Sequence, residues 1–449
     1  MSLTMIAVNL VITIVILMFA ITVLKLNPTI SMVMATLYMG ISCGMGLIKT
    51  AAVTTSGFGN MMGNIGLPIG FGVILGQLLS DCGGANVIAK KITSVFPREK
   101  ALIALTLTAG ILSIPVFADV TFVILMPIGI AIARQINKNT AFAVAMISIG
   151  AVLTHTFVPP TPGPLSVAAL VECDIGIMLG IGLLISTLTV ICSYFIVTKL
   201  LQGKKYLTEK DMNPNAVLIE KADIDITKAP GFGIAMLPII LPSILILIGT
   251  AVSAVVAQPP EWVLFIGDKM VALLVGAIVA YIIAFKYMNR KEVEKSVARA
   301  LESCGVIMLV TGAGGSLGAV IKATGIGELL QEMLGASSGS VIVTLLLVFF
   351  IGFIFRISLG SGTVASITAM TIMAPVIANL PVHPVYAALA ALAGGMTFPH
   401  VNDSGFWVMT NLGGLKVKGG IKAYSIPIFI ASVVAFAWTL ILAVVLPLA

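Results

Sequence analysis

Residues 141–164 read AFAVAMISIGAVLTHTFVPPTPGP. The run from 141 to 158 is apolar and long enough to cross roughly 30 Å of hydrocarbon as a helix. It then meets a cluster of prolines, Pro159-Pro160-Thr-Pro162-Gly-Pro164, which a helix interior does not tolerate. In hydrocarbon, an interrupted helix is tolerated only where protein or a water-filled cavity surrounds its free peptide groups. The stretch therefore predicts a membrane protein with a broken helix beside a functional cavity.

The composition of the whole chain predicts that the bilayer is its solvent. Of the 449 residues 10% are charged and 59% are hydrophobic, and the mean hydropathy is +1.14. Soluble globular chains have roughly 25% charged residues and 45–50% apolar ones. Apolar stretches of about 18 residues or more recur along the sequence. We therefore predict an all-α polytopic membrane protein and no soluble enzyme.

The formal charge of +7 is spread in a way that argues against a nucleic-acid partner. Basic residues collect in short connections between apolar segments, as positive charge retained on the cytoplasmic side does. The three main groups are Lys90, Lys91, Arg98 and Lys100; Lys199, Lys204 and Lys205; and Lys286, Arg290, Lys291 and Lys295. Lys25 follows the first apolar segment, which predicts a cytoplasmic first loop and an external N-terminus.

Three blocks of sequence recur in one order on either side of a polar stretch near the middle of the chain. They are 72–83 with 314–325, 119–121 with 361–363, and 150–155 with 395–400. The glycines and the threonine recur after 242 positions (318 − 76, 325 − 83, 363 − 121) and the histidine after 245 (400 − 155). Transporters are commonly built from two such halves, often inverted, with the binding site between them. We predict two related repeats, inverted if an odd number of crossings separates them.

Interruptions inside these repeats predict where the helices break. Segments 101–134 and 343–376 are predicted to be broken helices, interrupted at 113–119 and 356–363. Segments 57–96 and 303–334 have the pattern of hairpins that dip into the membrane. Their predicted tips are Asp81, Gly83 and Gly84 in the first and Thr324 and Gly325 in the second.

The resulting division of the chain has six parts. We predict N-terminal scaffold helices over 1–56, a first repeat with hairpin and broken helix over 57–200, a polar cytoplasmic linker over 201–230, scaffold helices over 231–302, a second repeat with hairpin and broken helix over 303–420, and a C-terminal transmembrane helix over 421–449.

Ionisable residues within apolar segments are the first candidates for function, because a charge at membrane depth costs at least about 2.5–3.5 kcal/mol on insertion scales. Asp119 is a candidate proton carrier, since burial favours the neutral carboxyl. Arg356 has a guanidinium fork that fits a carboxylate, either of the substrate or of Asp119. A purely structural ion pair is the alternative for both residues.

Polar residues beside the breaks complete the candidate site. His155 and His400 occupy equivalent positions in the two repeats and are candidates for substrate or proton handling. Asp403 is a further candidate for proton coupling. Side chains expected to bind substrate hydroxyl groups are Thr154, Ser361, Thr363 and Asn402.

The sequence predicts no cofactor and no metal site. His400 and Asp403 have no third ligand at metal-site spacing. The chain contains no P-loop, nucleophile elbow or His-Glu-x-x-His motif, so we expect no ATP hydrolysis. The expected partners are a small organic anion, protons and the lipid bilayer.

At these residues the chain resembles the gluconate permease (GntP) family of the wider ion-transporter superfamily. The matching blocks are His-x-x-x-Pro-Pro-x-Pro-Gly-Pro at 155–164, His-x-Asn-Asp-x-Gly-Phe-Trp at 400–407, Arg-x-x-x-Gly-Ser-x-Thr-Val-Ala at 356–365, and Gly-Phe-Gly with Asp-x-Gly-Gly-Ala at 70–72 and 81–85. The chain departs from the usual family pattern at Thr161, Thr156 and Asp119, where histidine, glycine and glutamate are common.

The resemblance implies a proton symporter for gluconate or a related aldonate or hydroxy acid in a bacterial inner membrane. It also implies a homodimer with a scaffold and a moving transport domain. Sodium-coupled uptake of a di- or tricarboxylate is the alternative among transporters. A passive anion channel and a membrane-embedded enzyme are the alternatives from other classes.

Overall fold

The computed structural model describes residues 3–97, 100–203, 206–213, 228–256, 258–324, 341–378, 382–400 and 403–448. Within these ranges the chain is helical, and the extended pairing is confined to one isolated bridge between Met212 and Leu415. Eight of the described helices are long and apolar enough to cross a membrane by length and composition. The predicted all-α polytopic class is confirmed.

Over its described residues, the first half of the chain forms nine α-helices. They are α1 (Leu3–Thr22), α2 (Pro28–Ser42), α3 (Leu47–Asp81), α4 (Gly84–Val95), α5 (Ala101–Leu112), α6 (Ala118–Gln135), α7 (Thr140–Phe157), α8 (Pro162–Leu170) and α9 (Ile175–Leu201). A single turn of 3₁₀-helix, Glu209–Asp211, follows in the polar stretch.

The second half, over its described residues, begins with α10 (Phe232–Val255). It continues with α11 (Glu261–Gly267), α12 (Lys269–Tyr287), α13 (Arg290–Ala323), α14 (Val341–Leu359), α15 (Gly362–Ile377), α16 (Pro384–Met396), α17 (Ser404–Leu412) and α18 (Val417–Val445). The last helix contains a π-turn at Ile421–Ser425.

Helices α5 and α6 fold back on each other as a hairpin. The hydroxyls of Ser113 and Thr121 are hydrogen-bonded at 2.9 Å, and a Cβ placed on Gly129 would lie 3.3 Å from the Leu105 side chain. In both contacts the two residues lie equally far from Phe117 along the chain, as expected for an antiparallel pair that turns there. The predicted break at 113–119 is therefore the tip of a hairpin, which we call hairpin 1 (residues 101–135).

Helices α14 and α15 form the corresponding hairpin 2 (residues 341–377). Gly352 of α14 and Ser366 of α15 both pack against Gly395 of α16. In a straight helix these two residues would be about 21 Å apart at 1.5 Å per residue. The chain therefore reverses between them, at Gly360–Ser361, where Gly360 has the positive φ of +72° that favours glycine.

The positions predicted for the hairpins need correction. The arm predicted from residue 57 is the second part of α3, a continuous helix of 35 residues and about 52 Å. A membrane-crossing helix of this length cannot be a short re-entrant arm. Asp81, Gly83 and Gly84 do form a tight turn between α3 and α4, with Gly83 at φ +78°. In the hairpin predicted over 303–334, the first arm is the end of α13, and the part from residue 325 onward lies outside the described residues. The helical hairpins seen among the described residues are α5–α6 and α14–α15.

Two long helices, α3 and α13, pack along each other in opposite directions. Near one end Ser316 donates a hydrogen bond to the carbonyl of Thr54 (2.8 Å), and near the other Ser296 donates to Asp81. Gly57 and Gly315 bring the backbones close together. The predicted boundaries at 56/57 and 302/303 fall inside these two helices, so neither is an element boundary.

Helix α7 ends at Phe157 and α8 begins at Pro162, which matches the break expected from the opening stretch. The Thr161 hydroxyl donates to the carbonyls of His155 (2.7 Å) and Val158 (2.9 Å), which the ending helix leaves free. Helices α16 and α17 are separated in the same way by residues 397–403. These two interrupted helices are called broken helices 1 and 2 below.

The polar stretch predicted as a linker over 201–230 is described at its two ends only. Its first part docks on the chain around the start of α18: Tyr206 donates to the carbonyl of Lys422 (3.0 Å), and Asp211 is paired with the Lys422 ammonium (2.7 Å). The C-terminal helix begins at Val417, four residues before the predicted boundary at 421.

Candidate functional site

Arg356 lies in the last turn of α14 and is 4% exposed. Its Nε donates to the carbonyl of Thr397 at 3.2 Å, and its Nη1 donates to the carbonyl of Gly360. Its Nη2 forms an ion pair with Asp403. The guanidinium thereby holds the tip of hairpin 2 against the gap of broken helix 2.

Asp403 engages both of its carboxylate oxygens. Oδ2 accepts from Arg356, and Oδ1 accepts from the backbone N–H of Phe406 at 2.9 Å, which caps the N-terminus of α17. The buried arginine therefore has a fixed counter-ion. The sequence predicted a carboxylate partner for Arg356, either from the substrate or from Asp119, and in this structure the partner is Asp403.

Asp119 lies in the first turn of α6, and its side chain is exposed. A Cβ placed on Gly405 would lie 3.2 Å from Asp119 Oδ1, 3.0 Å from Asp403 Oδ1 and 2.6 Å from the Tyr424 hydroxyl. These three oxygens therefore surround one point above Gly405. The tip of hairpin 1 is thus in contact with the start of α17.

A matching contact joins hairpin 2 to broken helix 1. A Cβ placed on Gly163, near the start of α8, would lie 3.8 Å from the hydroxyl of Thr363. Ser361, at the turn before α15, accepts a hydrogen bond from the backbone N–H of Val364 at 3.4 Å. Gly163 and Gly405 are 242 positions apart (405 − 163), the same displacement as in the repeated sequence blocks.

The two histidines lie beside the two hairpin tips. The ring of His155 is 5.7 Å from that of Phe117, its Nδ1 is buried without a hydrogen-bond partner, and it lies near the backbone of Ser113. His400 Nε2 is 3.2 Å from the carbonyl of Ile357, next to Arg356. Thr154 is buried against Gly110 of α5.

The predicted site residues thus divide into three groups. The structure brings Asp119, Arg356 and Asp403 together, with His155, His400, Ser361 and Thr363 at the adjoining tips. Asp81 is instead bound to Ser296, Arg299 and Gln77, and Thr324 ends α13. Asn402 and Gly325 lie outside the described residues.

Sequence reasoning missed three residues of this centre: Tyr424, Gly405 and Gly163. Gly163 and Gly405 could have been found from their displacement of 242 positions, since each lies just after the break of a broken helix. Tyr424 gave no signal, because a tyrosine in an apolar helix is usually a packing residue. It belongs to the π-turn of α18, and its ring packs edge-on against Phe406 and Phe122.

The centre therefore consists of one cation, two carboxylates, a phenol and the N-terminal ends of three helices, α6, α15 and α17. Such an arrangement suits an anion that carries hydroxyl groups, held by charge-assisted hydrogen bonds. Within the ranges described, no group of three or more His, Cys, Asp or Glu side chains could hold a metal ion.

The sequence comparisons with known proteins agree on one family of permeases. The sequence profile of the GntP family permeases matches residues 4–445. A permease of Haemophilus influenzae is 33% identical over 94% of this chain and 89% of its own length. The inner membrane permease YgbN of Escherichia coli is 32% identical, with 90% of each chain covered. A gluconate permease of Bacillus subtilis is 31% identical over 96% and 97% of the two chains.

A solved structure has a similar fold. MtrF of Neisseria gonorrhoeae, from a class of antimetabolite efflux pumps, superposes with a TM-score of 0.65 at 15% identity, over 90% of this chain and 86% of that one. At this identity the similarity concerns the fold alone.

Proposed function

The chain belongs to the GntP family of permeases, and from this premise we propose that it imports a sugar acid of the gluconate type together with protons. It is a multi-pass protein of a bacterial inner membrane and a permease rather than an enzyme. The sugar-acid substrate is supported by relatives that are gluconate permeases.

The observation that carries the proposal is the meeting of four chain breaks at one centre. Hairpin 1 reaches broken helix 2 through Asp119 and Gly405, and hairpin 2 reaches broken helix 1 through Thr363 and Gly163. Irregular backbone at membrane depth is tolerated where it lines a cavity, and transporters place their substrates at such points.

Inverted repeats are part of the proposal. If each broken helix counts as one crossing and each hairpin as none, the described helices give five crossings in each half: α1, α2, α3, α7–α8 and α9, then α10, α12, α13, α16–α17 and α18. An odd number of crossings reverses the second half relative to the first. Hairpin 1 then enters from the cytoplasmic side and hairpin 2 from the opposite side.

In this proposal Arg356 binds the substrate carboxylate. Arginine has five N–H donors, and three of them are committed to Thr397, Gly360 and Asp403. The two that remain form a charge-assisted site at the N-terminal end of α15, where the helix dipole also favours an anion. Substrate hydroxyls are assigned to Ser361, Thr363, Thr154, Asn402 and the two histidines.

Asp119 is the proposed proton carrier. It lies beside the anion site on the first turn of α6, so its negative charge repels a bound carboxylate. Protonation removes this repulsion, and anion and proton binding therefore favour each other. Asp403, whose two oxygens are occupied, serves to position Arg356, and His155 with its unpartnered Nδ1 is the second candidate for proton transfer.

The moving unit is proposed to contain both hairpins and both broken helices, with α3 and α13 in the scaffold. This revises the predicted division, in which the repeats began at residues 57 and 303. The homodimer in the proposal rests on the family resemblance.

The test is uptake of labelled gluconate into proteoliposomes that contain the purified protein. We expect accumulation driven by a pH gradient, loss of accumulation in Asp119→Asn and retention of gluconate exchange in that variant. Glu302→Gln, an exposed carboxylate of α13, is the matched control. Uptake that ignores the pH gradient would reject proton coupling, and sodium dependence surviving in Asp119→Asn would favour the sodium-coupled alternative.

Substrate identity is tested separately by thermal shift of the purified protein against gluconate, related aldonates, glycerate, D-serine and citrate. We expect the largest stabilisation from an aldonate, because ligand binding to the folded state raises its stability with concentration. A shift with citrate alone would contradict the sugar-acid assignment.

A further inference from the structure

A cavity of about 580 Å³ lies between the two long helices and the ends of α8 and α15, away from the central site. Its wall on α3 and α13 includes Gly57 and Gly315, at which the two backbones pack closely together, and Gly318. Small-molecule sites usually occupy about 300–1,000 Å³. The cavity is therefore large enough for a six-carbon acid.

The polar side chains of this cavity are Asn60 and Asn64 of α3, Lys322 of α13 and Glu172 after α8. All four are exposed. The two asparagines are four residues apart and so lie on one face of α3. Carboxamides in a helix that crosses hydrocarbon are costly unless they face water or a polar ligand. Their position in the wall of the cavity satisfies that condition.

Neither charge in the cavity is neutralised within the described part of the chain. Lys322 and Glu172 take part in none of its ion pairs or side-chain hydrogen bonds, and the same holds for Asn60 and Asn64. This contrasts with Arg356, most of whose donors are occupied. The four groups are therefore available to a ligand.

A buried contact between α8 and α13 lies about one helical turn from the lining of the cavity on each helix. The hydroxyls of Ser166 and Thr311 are 3.2 Å apart, and both are buried. Ser166 lies between Gly163 at the central site and Ala169 at the cavity wall, along the same helix. Along α8, the cavity wall at Ala169 is therefore about two helical turns from Gly163 at the central site, with the buried contact of Ser166 between them.

From this arrangement we propose that the cavity is a second, outer binding site for a polyhydroxylated carboxylate, with the carboxylate on Lys322 and the hydroxyls on Asn60, Asn64 and Glu172. Ammonium groups bind carboxylates as point charges, while carboxamide and carboxylate oxygens accept hydrogen bonds from hydroxyl groups. The site collects the anion on the external side before the central site opens. It goes beyond the proposed function, because it is formed by residues outside the centre of Asp119 and Arg356.

The test uses thiol labelling at Asn64→Cys in a variant whose five native cysteines are replaced by serine or alanine. The reagents are membrane-impermeant methanethiosulfonates, one anionic and one cationic, added outside intact cells. We expect labelling from outside and protection by potassium gluconate. Lys322→Gln should weaken protection about tenfold, whereas Thr363→Val, a change of similar size at the central site, should leave it unchanged.

A substrate-independent arm uses the ratio of the two labelling rates. Lys322→Gln should lower the rate of the anionic reagent relative to the cationic one by about threefold, and Glu172→Gln should raise it, since one charge at a cavity mouth steers ions. A ratio unchanged in both variants would overturn the proposal. So would protection that disappears with Thr363→Val but survives Lys322→Gln, because it would then report the central site.

Uptake kinetics in the native cysteine background give a second readout that needs no cysteine replacement. Lys322→Gln and Asn60→Leu should raise the KM for gluconate about threefold or more with kcat unchanged, because they remove binding outside the centre. An unchanged KM in both variants would count against the outer site. Failure of the wild type to transport gluconate would instead reject the proposed function, while the rate-ratio arm would still decide the outer site.

Discussion

At the scale of single residues, Arg356 is the side chain of the centre that is held by three polar contacts. It joins the Gly360 carbonyl at the tip of hairpin 2 to the Thr397 carbonyl and the Asp403 carboxylate in the gap of broken helix 2. A lysine at this position could not reproduce the three directions, because its ammonium is a single point charge on a flexible stem. The arginine therefore organises the tip of hairpin 2 as well as providing charge.

We expect Arg356→Gln to lower stability by about 3–5 kcal/mol, because it leaves Asp403 charged and without its partner in a site that is largely closed to water. The side chains of this pair are 5% and 13% exposed. Arg299→Gln is the matched control: its pair with Asp81 is 52% and 19% exposed, and removing it should cost at most about 1 kcal/mol. Thermal unfolding in detergent measures both, and equal losses would contradict the central role of Arg356.

The sequence was sufficient to find Asp119, Arg356, Asp403 and the two histidines, because an ionisable group in an apolar run is costly and therefore conspicuous. It was not sufficient to pair them. Arg356 and Asp403 are 47 residues apart, and only the reversal of the chain at Gly360 brings their side chains together. Gly405 and Tyr424 were missed because neither carries a formal charge.

At the scale of elements, the hairpins show where a glycine-containing turn between two apolar segments was a misleading signal. Both 57–96 and 101–135 are apolar helix–turn–helix sequences, and the former has glycines at its turn. The lengths of their first helices distinguish the two segments. Helix α3 has 35 residues, whereas α5 has 12 and is too short to cross the bilayer. The break that looked like an interruption of one helix is a reversal, because Ser113 and Thr121 pair across it.

A second element-scale prediction concerns the contact of α3 with the tip of hairpin 1. A Cβ on Gly76 would overlap the carbonyl of Pro115, which is backbone and cannot rotate away. We expect Gly76→Ala to destabilise this conformation by about 1–3 kcal/mol and to slow gluconate uptake. Gly63→Ala, where the added methyl meets open space, should change neither unfolding temperature nor uptake. Normal uptake by Gly76→Ala would show that the tip is not held against α3.

The docked start of the polar linker gives a prediction about pH. Burial alone would raise the pKa of the Asp211 carboxyl, but hydrogen bonds from Lys422 and Thr208 outweigh it and hold the pKa below 3.8. Because the pKa is lowered on folding, this contribution is fully present above pH 3.8 and is lost as the pH falls through the lower, folded value.

We expect Asp211→Asn to cost about 1.5 kcal/mol near neutral pH, at the lower end for a charged hydrogen bond because Lys422 is partly exposed. The difference in unfolding temperature between wild type and variant should shrink below pH 4. Glu209→Gln, an exposed neighbour, is the control. A difference that grows on acidification would show that the pKa shift has the opposite sign.

At the scale of the whole molecule, the distribution of basic residues indicates how the fold is oriented across the membrane. The cavity lined by Asp81, Lys228, Tyr287 and Arg299 brings together the end of α3, the start of α10 and the turn between α12 and α13. Lys422, Tyr206 and Asp211 join the linker to the start of α18. By the positive-inside rule we expect these basic connections on the cytoplasmic side.

With ten crossings, five in each half, both chain ends are expected on the external side. A C-terminal fusion to alkaline phosphatase should be active and a fusion to green fluorescent protein should be dark, whereas fusions placed after Lys210 should behave in the opposite way. Fluorescence from the C-terminal fusion would contradict the crossing number and the inverted arrangement with it.

The contact between Ser166 and Thr311 has a consequence for how tightly the membrane is sealed. Their hydroxyl groups, 3.2 Å apart, form the only side-chain hydrogen bond between α8 and α13 among the described residues. Both side chains are buried, and Ser166 lies between the outer cavity and the centre along α8. We therefore expect Thr311→Ala to loosen the packing that separates the two and to produce an anion leak that is independent of protons.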